Sequence, residues 1–116
     1  MSSSPQGLLI EATRDSAGVL VRVSGEIDMH TSPLLRRKLQ DALDLARPRL
    51  ILDLREVSYI DSSGVGTIVE IKRRADRNGS TTVLVGLQPR VRNLFEITRL
   101  SSFFTIVDSP DQARDA

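Results

Sequence analysis

Asp61-Ser62-Ser63-Gly64 is the stretch of this chain whose residue types can do chemistry. Two hydroxyls and a carboxylate stand together where an extended segment hands over to a helix. The extended segment is Leu50-Ile51-Leu52-Asp53-Leu54, followed by a short connection that ends in Tyr59-Ile60. The helix is expected from about Ser63 to Arg77, with Asn78-Gly79 as its stop. The first N–H groups of a helix have no intrahelical partners, and the helix dipole favours negative charge there. Such a place can cap itself, hold an anion, or carry a phosphate on a serine. Asp and Ser are preferred caps, but one cap suffices and three candidate residues stand in a row. Gly64 and Gly66 fall in the first turn, where each costs roughly 1 kcal/mol relative to Ala. Their bare backbone suits either tight packing on a neighbouring element or close approach by another protein.

A second polar loop, Gly25-Glu26-Ile27-Asp28-Met29-His30, leaves another extended segment. In α/β sheets, ligands and partners meet the loops at the carboxyl ends of the strands. If both loops emerge at one end, Asp28 comes near Ser62. Catalysis does not follow from these residues. No Gly-x-Ser-x-Gly elbow is present, and His30, the single histidine, is remote in sequence from either serine. No Gly-x-x-x-x-Gly-Lys phosphate loop and no metal-ligand spacing occur, so no cofactor and no metal are expected. The site is expected to be the substrate of an enzyme rather than an enzyme.

Composition narrows the classes further. The 116 residues suit one compact domain that buries its own core. There is no cysteine, which excludes disulfides and thiolate metal sites. The net charge of +1 and the scarcity of aromatic residues argue against a nucleic-acid surface. The runs Arg36-Arg37-Lys38 and Lys72-Arg73-Arg74 read as solvated helix faces. No apolar run approaches the roughly 20 residues of a membrane span. Met1-Ser2-Ser3-Ser4-Pro5 has neither the charged nor the apolar region of a secretory signal, so a cytoplasmic protein is expected.

The elements that must position the two loops can be read from the hydrophobic pattern. Residues 1–7 read as a disordered tail and residues 8–116 as one domain. Leu8 to Ala12 and Val19 to Gly25 read as a hairpin. The partial alternation of the second strand suggests burial on both faces. Thr31-Ser32-Pro33 reads as a helix start with a hydroxyl cap. Leu35, Leu39, Ala42, Leu43 and Ala46 make the apolar stripe, and Arg47-Pro48 the end. Val65, Ile68, Val69 and Ala75 make the stripe of the next helix, with Ile71 on its flank. Residues 81–86 read as a strand, a helix begins near Pro89, residues 103–107 form a last strand, and Ser109-Pro110-Asp111 opens a short helix. The order β-β-α-β-α-β-α-β predicts an α/β fold whose sheet is largely parallel, with one antiparallel pair.

On these residues the chain resembles a STAS domain, and specifically the single-domain anti-sigma factor antagonists of bacterial sporulation and stress pathways. The resemblance is carried by Ser24-Gly25-Glu26-Ile27-Asp28 with Thr31, by Leu52-Asp53-Leu54, and by Val91-Arg92-Asn93-Leu94-Phe95 with Leu100. Its strongest part is Tyr59-Ile60-Asp61-Ser62-Ser63-Gly64-Val65-Gly66, and it spans about residues 8–108. The resemblance implies a mixed four- or five-stranded sheet packed against helices. It implies that Ser62, directly after the motif aspartate, is phosphorylated by an anti-sigma factor with a histidine-kinase-like ATP-binding fold. A PP2C-type phosphatase reverses this, and the unphosphorylated form binds the anti-sigma factor and frees a sigma factor. Asp28, Asp61, Ser62, Ser63, Gly64 and Gly66 are then the expected partner-binding residues, with Ser63 as the helix cap. Members are often acidic, whereas this chain is near neutral. The alternative within the family is a scaffold or accessory protein of a stressosome or lipid-transport complex.

Overall fold

A computed structural model describes residues 7–116. The expected tail lies outside the described residues except for Gly7. Five strands and four helices follow in the order β1 (Leu8–Asp15), β2 (Gly18–Ile27), α1 (Ser32–Leu43), β3 (Arg49–Ile60), α2 (Ser62–Arg77), β4 (Thr81–Val85), α3 (Pro89–Ile97), β5 (Thr105–Val107) and α4 (Pro110–Arg114). The strands lie in the sheet in chain order, β1-β2-β3-β4-β5. β1 runs antiparallel to β2, and the remaining neighbours are parallel, as helical crossovers require.

The main core lies between one face of the sheet and α1, α2 and α3. Val19, Val21 and Val23 of β2 and Leu50, Leu52 and Leu54 of β3 supply the sheet side. Leu35 and Leu39 of α1, Ile68 and Ile71 of α2, and Val91 and Phe95 of α3 supply the helices. Ile71 is fully buried rather than on the flank, and Val69 is the partly buried residue instead. The opposite face is covered over only part of its width. There α4 sets Ala113 against Ile51, Val83 and Val85. The expectation that β2 is buried on both faces is therefore corrected: Arg22 is exposed, and Leu20 and Ser24 are half-buried. On that face only Leu20 packs against the cluster that α4 covers. An ion pair of 2.7 Å between Arg114 and Asp15 ties α4 to the hairpin.

Several boundaries differ from the sequence reading, and the hairpin strands run longer than expected, β1 to Asp15 and β2 over Gly18–Ile27. α1 ends at Leu43, although Ala46 is still buried as its stripe predicts. β5 begins at Thr105, because Phe104 turns inward to meet Phe95 edge-on with ring centroids 5.6 Å apart. Phe103 instead lies under the Lys72 ammonium, 4.4 Å from the ring centroid. The largest difference is β3, which continues through the expected connection to Ile60. Its pairing with β2 slips twice: Arg22 faces Asp53 but Ser24 faces Glu56, and Gly25 faces Val57 but Glu26 faces Tyr59. Each slip inserts one extra residue in β3, a bulge. Leu54, Val57 and Ile60 consequently all point into the core, three residues apart. That spacing fits no strand period and hides the strand in the sequence.

Two hydroxyls of the core are unpaired among the described residues, those of Ser80 and Thr82. A buried hydroxyl without a partner is costly, and removing it in a residue of the same shape removes the cost. Thr82→Val is expected to raise stability by about 1 kcal/mol, read as a higher urea midpoint at unchanged slope; a loss of stability would contradict this account.

Candidate functional site

β2 and β3 are parallel neighbours, so their carboxyl ends and the loops that follow open at one edge of the sheet. The Asp61 N–H donates to the Ile27 carbonyl over 3.0 Å, and this last rung joins the two loops. α1 and α2 both start here.

Asp61 is the cap of α2, in extended backbone conformation, and Ser62 is already the first helical residue. One oxygen, Asp61 Oδ1, accepts from the Ser63 N–H at 2.9 Å, the Gly64 N–H at 3.2 Å and the Ser63 hydroxyl at 2.6 Å. Asp61 thus takes the role that the sequence reading assigned to Ser63, because its carboxylate reaches two amides at once. Burial pushes the Asp61 carboxyl up, but the Ser63 hydroxyl and the Gly64, Ser63 and Met29 amides outweigh it and hold the pKa below the ordinary aspartate range. A lowered folded-state pKa lends stability above the unfolded value near 4, and that stability is lost as the pH falls through the folded value. Asp53 behaves alike: burial pushes it up, but the hydrogen bonds and charge of Arg55, with the charge of Arg22, hold it low. Stability is therefore expected to fall as the pH drops below about 4, in unfolding curves taken from pH 6 to pH 2. Asp61→Asn is expected to make that fall shallower; an unchanged profile would refute the part given to Asp61.

Ser63 is half-buried and fully engaged. Its short, charge-assisted bond to Asp61 uses its one proton, which leaves it the acceptor toward Ser32 Oγ, 3.1 Å away on α1. Ser62 is the contrast. It is exposed, and among the described residues its hydroxyl has no hydrogen-bond partner. The two serines, equal in sequence, are thus separated by structure: one is tied into the fold and one is presented to solvent.

The two glycines also separate. Gly66 is exposed, and a Cβ there would meet nothing within 4 Å. Gly64 is buried, and a Cβ would come within 2.5 Å of Ile27 Cγ2 and 2.7 Å of Ile60 Cγ1. Of the two readings open for the glycines, tight packing holds at Gly64, which lets the helix start sit directly on the ends of β2 and β3.

Asp28 is at the same edge, but its carboxylate turns into its own loop. Oδ1 accepts from the His30 N–H at 2.9 Å and the Thr31 N–H at 3.1 Å. Thr31 stands at the N-cap of α1, as the sequence predicts, but its hydroxyl makes no cap bond there. Its hydroxyl donates to the Glu26 carbonyl and accepts from the Asp28 N–H, each at 2.9 Å, which closes the loop on itself. The contact between the loops runs through Ser32, Ser63 and Asp61 rather than through an Asp28–Ser62 pair. Ser32, which the sequence reading takes only as part of a helix start, is the bridge: its one proton is shared between the Asp28 carbonyl at 2.6 Å and Ser63 Oγ at 3.1 Å. No single-residue signal marks it; only the tertiary pairing of the loops does.

The arrangement presents one accessible hydroxyl at the positive end of a 16-residue helix. Among the described residues no base stands in hydrogen-bond reach of Ser62. Among the described residues no group of three or more metal-ligating side chains occurs, and no helix is long and apolar enough to cross a membrane.

The model of the STAS domain matches residues 10–113. An anti-sigma-B factor antagonist of Listeria monocytogenes is 39% identical over 97 residues, covering 80% of this chain and 82% of its own. An anti-sigma factor antagonist of Mycobacterium paratuberculosis superposes with a TM-score of 0.85 at 25% identity, covering 97% of this chain and 95% of its own. The antagonist SpoIIAA is similar in its unphosphorylated form, with a TM-score of 0.79, 26% identity and coverage of 92% of this chain and 94% of its own. In the phosphorylated form, from Bacillus, the TM-score is 0.72 at 25% identity, with coverage of 92% of this chain and 97% of its own. These relatives are named as regulatory antagonists rather than as enzymes.

Proposed function

The chain belongs to the STAS domain family, among its anti-sigma factor antagonists, and on that premise we propose that its unphosphorylated form binds an anti-sigma factor, frees a sigma factor, and is switched off by phosphorylation of Ser62. The anti-sigma factor has a histidine-kinase-like ATP-binding fold and is itself the serine kinase. A PP2C-type phosphatase restores the binding form, and the exchange takes place in the cytoplasm. Residues 8–116 act as one STAS domain. The observation that carries the reading is the exposed, unbonded hydroxyl of Ser62 beside a Ser63 held by Asp61 and Ser32.

Ser62 suits a switch for electrostatic reasons. A phosphate adds about −1.5 to −2 charges. At the first turn of α2 the helix dipole and amides tolerate that charge, so the fold changes little. The effect falls on the partner. Against one partner carboxylate about 6 Å away at an effective dielectric near 20, repulsion is roughly 4–5 kcal/mol before screening. Half of that still lowers affinity by roughly 30-fold or more. Asp28, Asp61, Ser63 and Gly66 shape the surface around the serine, and Gly64 seats it on the sheet.

The test is capture of partners from native cell extract by the purified chain, with ADP or with ATP, followed by mass spectrometry. An ATP-binding anti-sigma factor is expected with ADP, and phosphate on Ser62 with its release is expected with ATP. Phosphate on Ser63, or capture of no such factor, would overturn the proposal.

A further inference from the structure

Two large apolar residues stand exposed near Ser62: Tyr59, 38% exposed at the end of β3, and Met29. Met29, at the tip of the loop between β2 and α1, has 72% of its surface exposed, more than any other large apolar residue described. Exposed apolar side chains scattered singly need no explanation; this one differs in how it is held and where. The backbone on both sides of it is fixed. Asp28 is bound to Thr31 Oγ1 through its N–H, to the His30 and Thr31 amides through its carboxylate, and to the Ser32 hydroxyl and N–H through its carbonyl. The loop is in turn joined to the start of α2 by the Ser32–Ser63 contact and the Asp61–Ile27 bond. Met29 is therefore a long apolar side chain on a preorganised turn, on the surface that carries the free hydroxyl.

Binding surfaces concentrate their affinity in a few apolar anchors ringed by polar groups, and an anchor fixed before binding loses little entropy on docking. Methionine adds an unbranched, polarizable chain that adapts to an irregular pocket. We infer that Met29 is the apolar anchor of the partner surface, and that the anti-sigma factor carries an apolar pocket for it beside the place where Ser62 docks. The inference rests on the proposed function and goes beyond it in naming the contact. It also gives the phosphate a second effect: its bulk and hydration on the same surface hold the partners apart and deny Met29 its pocket.

The test is calorimetric titration of the full chain with the anti-sigma factor identified by the capture experiment. Met29→Ser is expected to weaken binding at least about tenfold, and Met29→Leu to restore most of it. Leu45→Ser, which removes an exposed apolar side chain beyond the other end of α1, is expected to leave affinity unchanged. Circular dichroism of each variant checks that the fold is kept. Wild-type affinity for Met29→Ser, or equal losses for Met29→Ser and Leu45→Ser, would overturn the inference while leaving the proposed function standing. Failure of the wild-type chain to bind any anti-sigma factor would instead remove the proposed function, and the inference with it.

Discussion

Ser62→Glu is expected to weaken binding of the anti-sigma factor at least about tenfold, while Ser62→Ala binds within about twofold of the wild type and no longer responds to ATP. A single negative charge about 6 Å from one partner carboxylate, at an effective dielectric near 20, is worth roughly 2–3 kcal/mol. If screening removes half, about a factor of ten remains. The glutamate carries less charge than a phosphate, so its effect is the lower bound of the switch. Because Ser62 is exposed at the first turn of α2, neither substitution disturbs packing, and both variants are expected to unfold at the wild-type midpoint. Titration calorimetry decides the matter. Equal affinities for the alanine, glutamate and wild-type forms would show that charge at this position does not control binding.

Gly64→Ala is expected to destabilise the fold by about 2 kcal/mol, whereas Gly66→Ala is expected to stabilise it by about 0.5–1 kcal/mol. The two sites differ only in what lies beyond the missing side chain. At Gly64 the added carbon enters the space of Ile27 and Ile60, which are themselves buried and have little room to move. At Gly66 it enters solvent, and only the better helix propensity of alanine is felt. The Gly64 variant should melt roughly 8 °C lower than the wild type. Its affinity for the partner, measured where it is still folded, should change little, since the residue faces the sheet. Equal melting points for the two variants would refute the packing role given to Gly64.

The glycine pair shows where a sequence reading stops. In the sequence both glycines stand in one helical turn after the same motif, and either could serve packing or approach. One residue of helix is 100° of rotation, so two residues apart they face different surroundings. Only the seat of α2 on the ends of β2 and β3 assigns them. The serine pair behaves alike. Ser62 and Ser63 have the same chemistry, and the resemblance to a family selects Ser62. The structure supplies a physical distinction of its own, since Ser63 is bound by Asp61 and Ser32 and Ser62 is not. Asp61 as the cap was within reach of the sequence, because aspartate is among the best caps, but with two serines beside it the choice stayed open. The course of β3 was not within reach. Its apolar residues Leu54, Val57 and Ile60 recur every third position, and only the two bulges against β2 explain how all three face the core.

Asp61-Ser62-Ser63-Gly64 was thus determined by the sequence as a polar helix start on an α/β fold. The order of strands and helices, the mixed sheet and the apolar stripes were also determined there, because they depend on periodicity and punctuation that local residues carry. Which hydroxyl is free, which glycine is buried, what bridges the two loops and what stands exposed beside them were decided by the tertiary structure alone. Each depends on residues some 30 positions apart meeting at the end of adjacent parallel strands, and no local pattern encodes such a meeting.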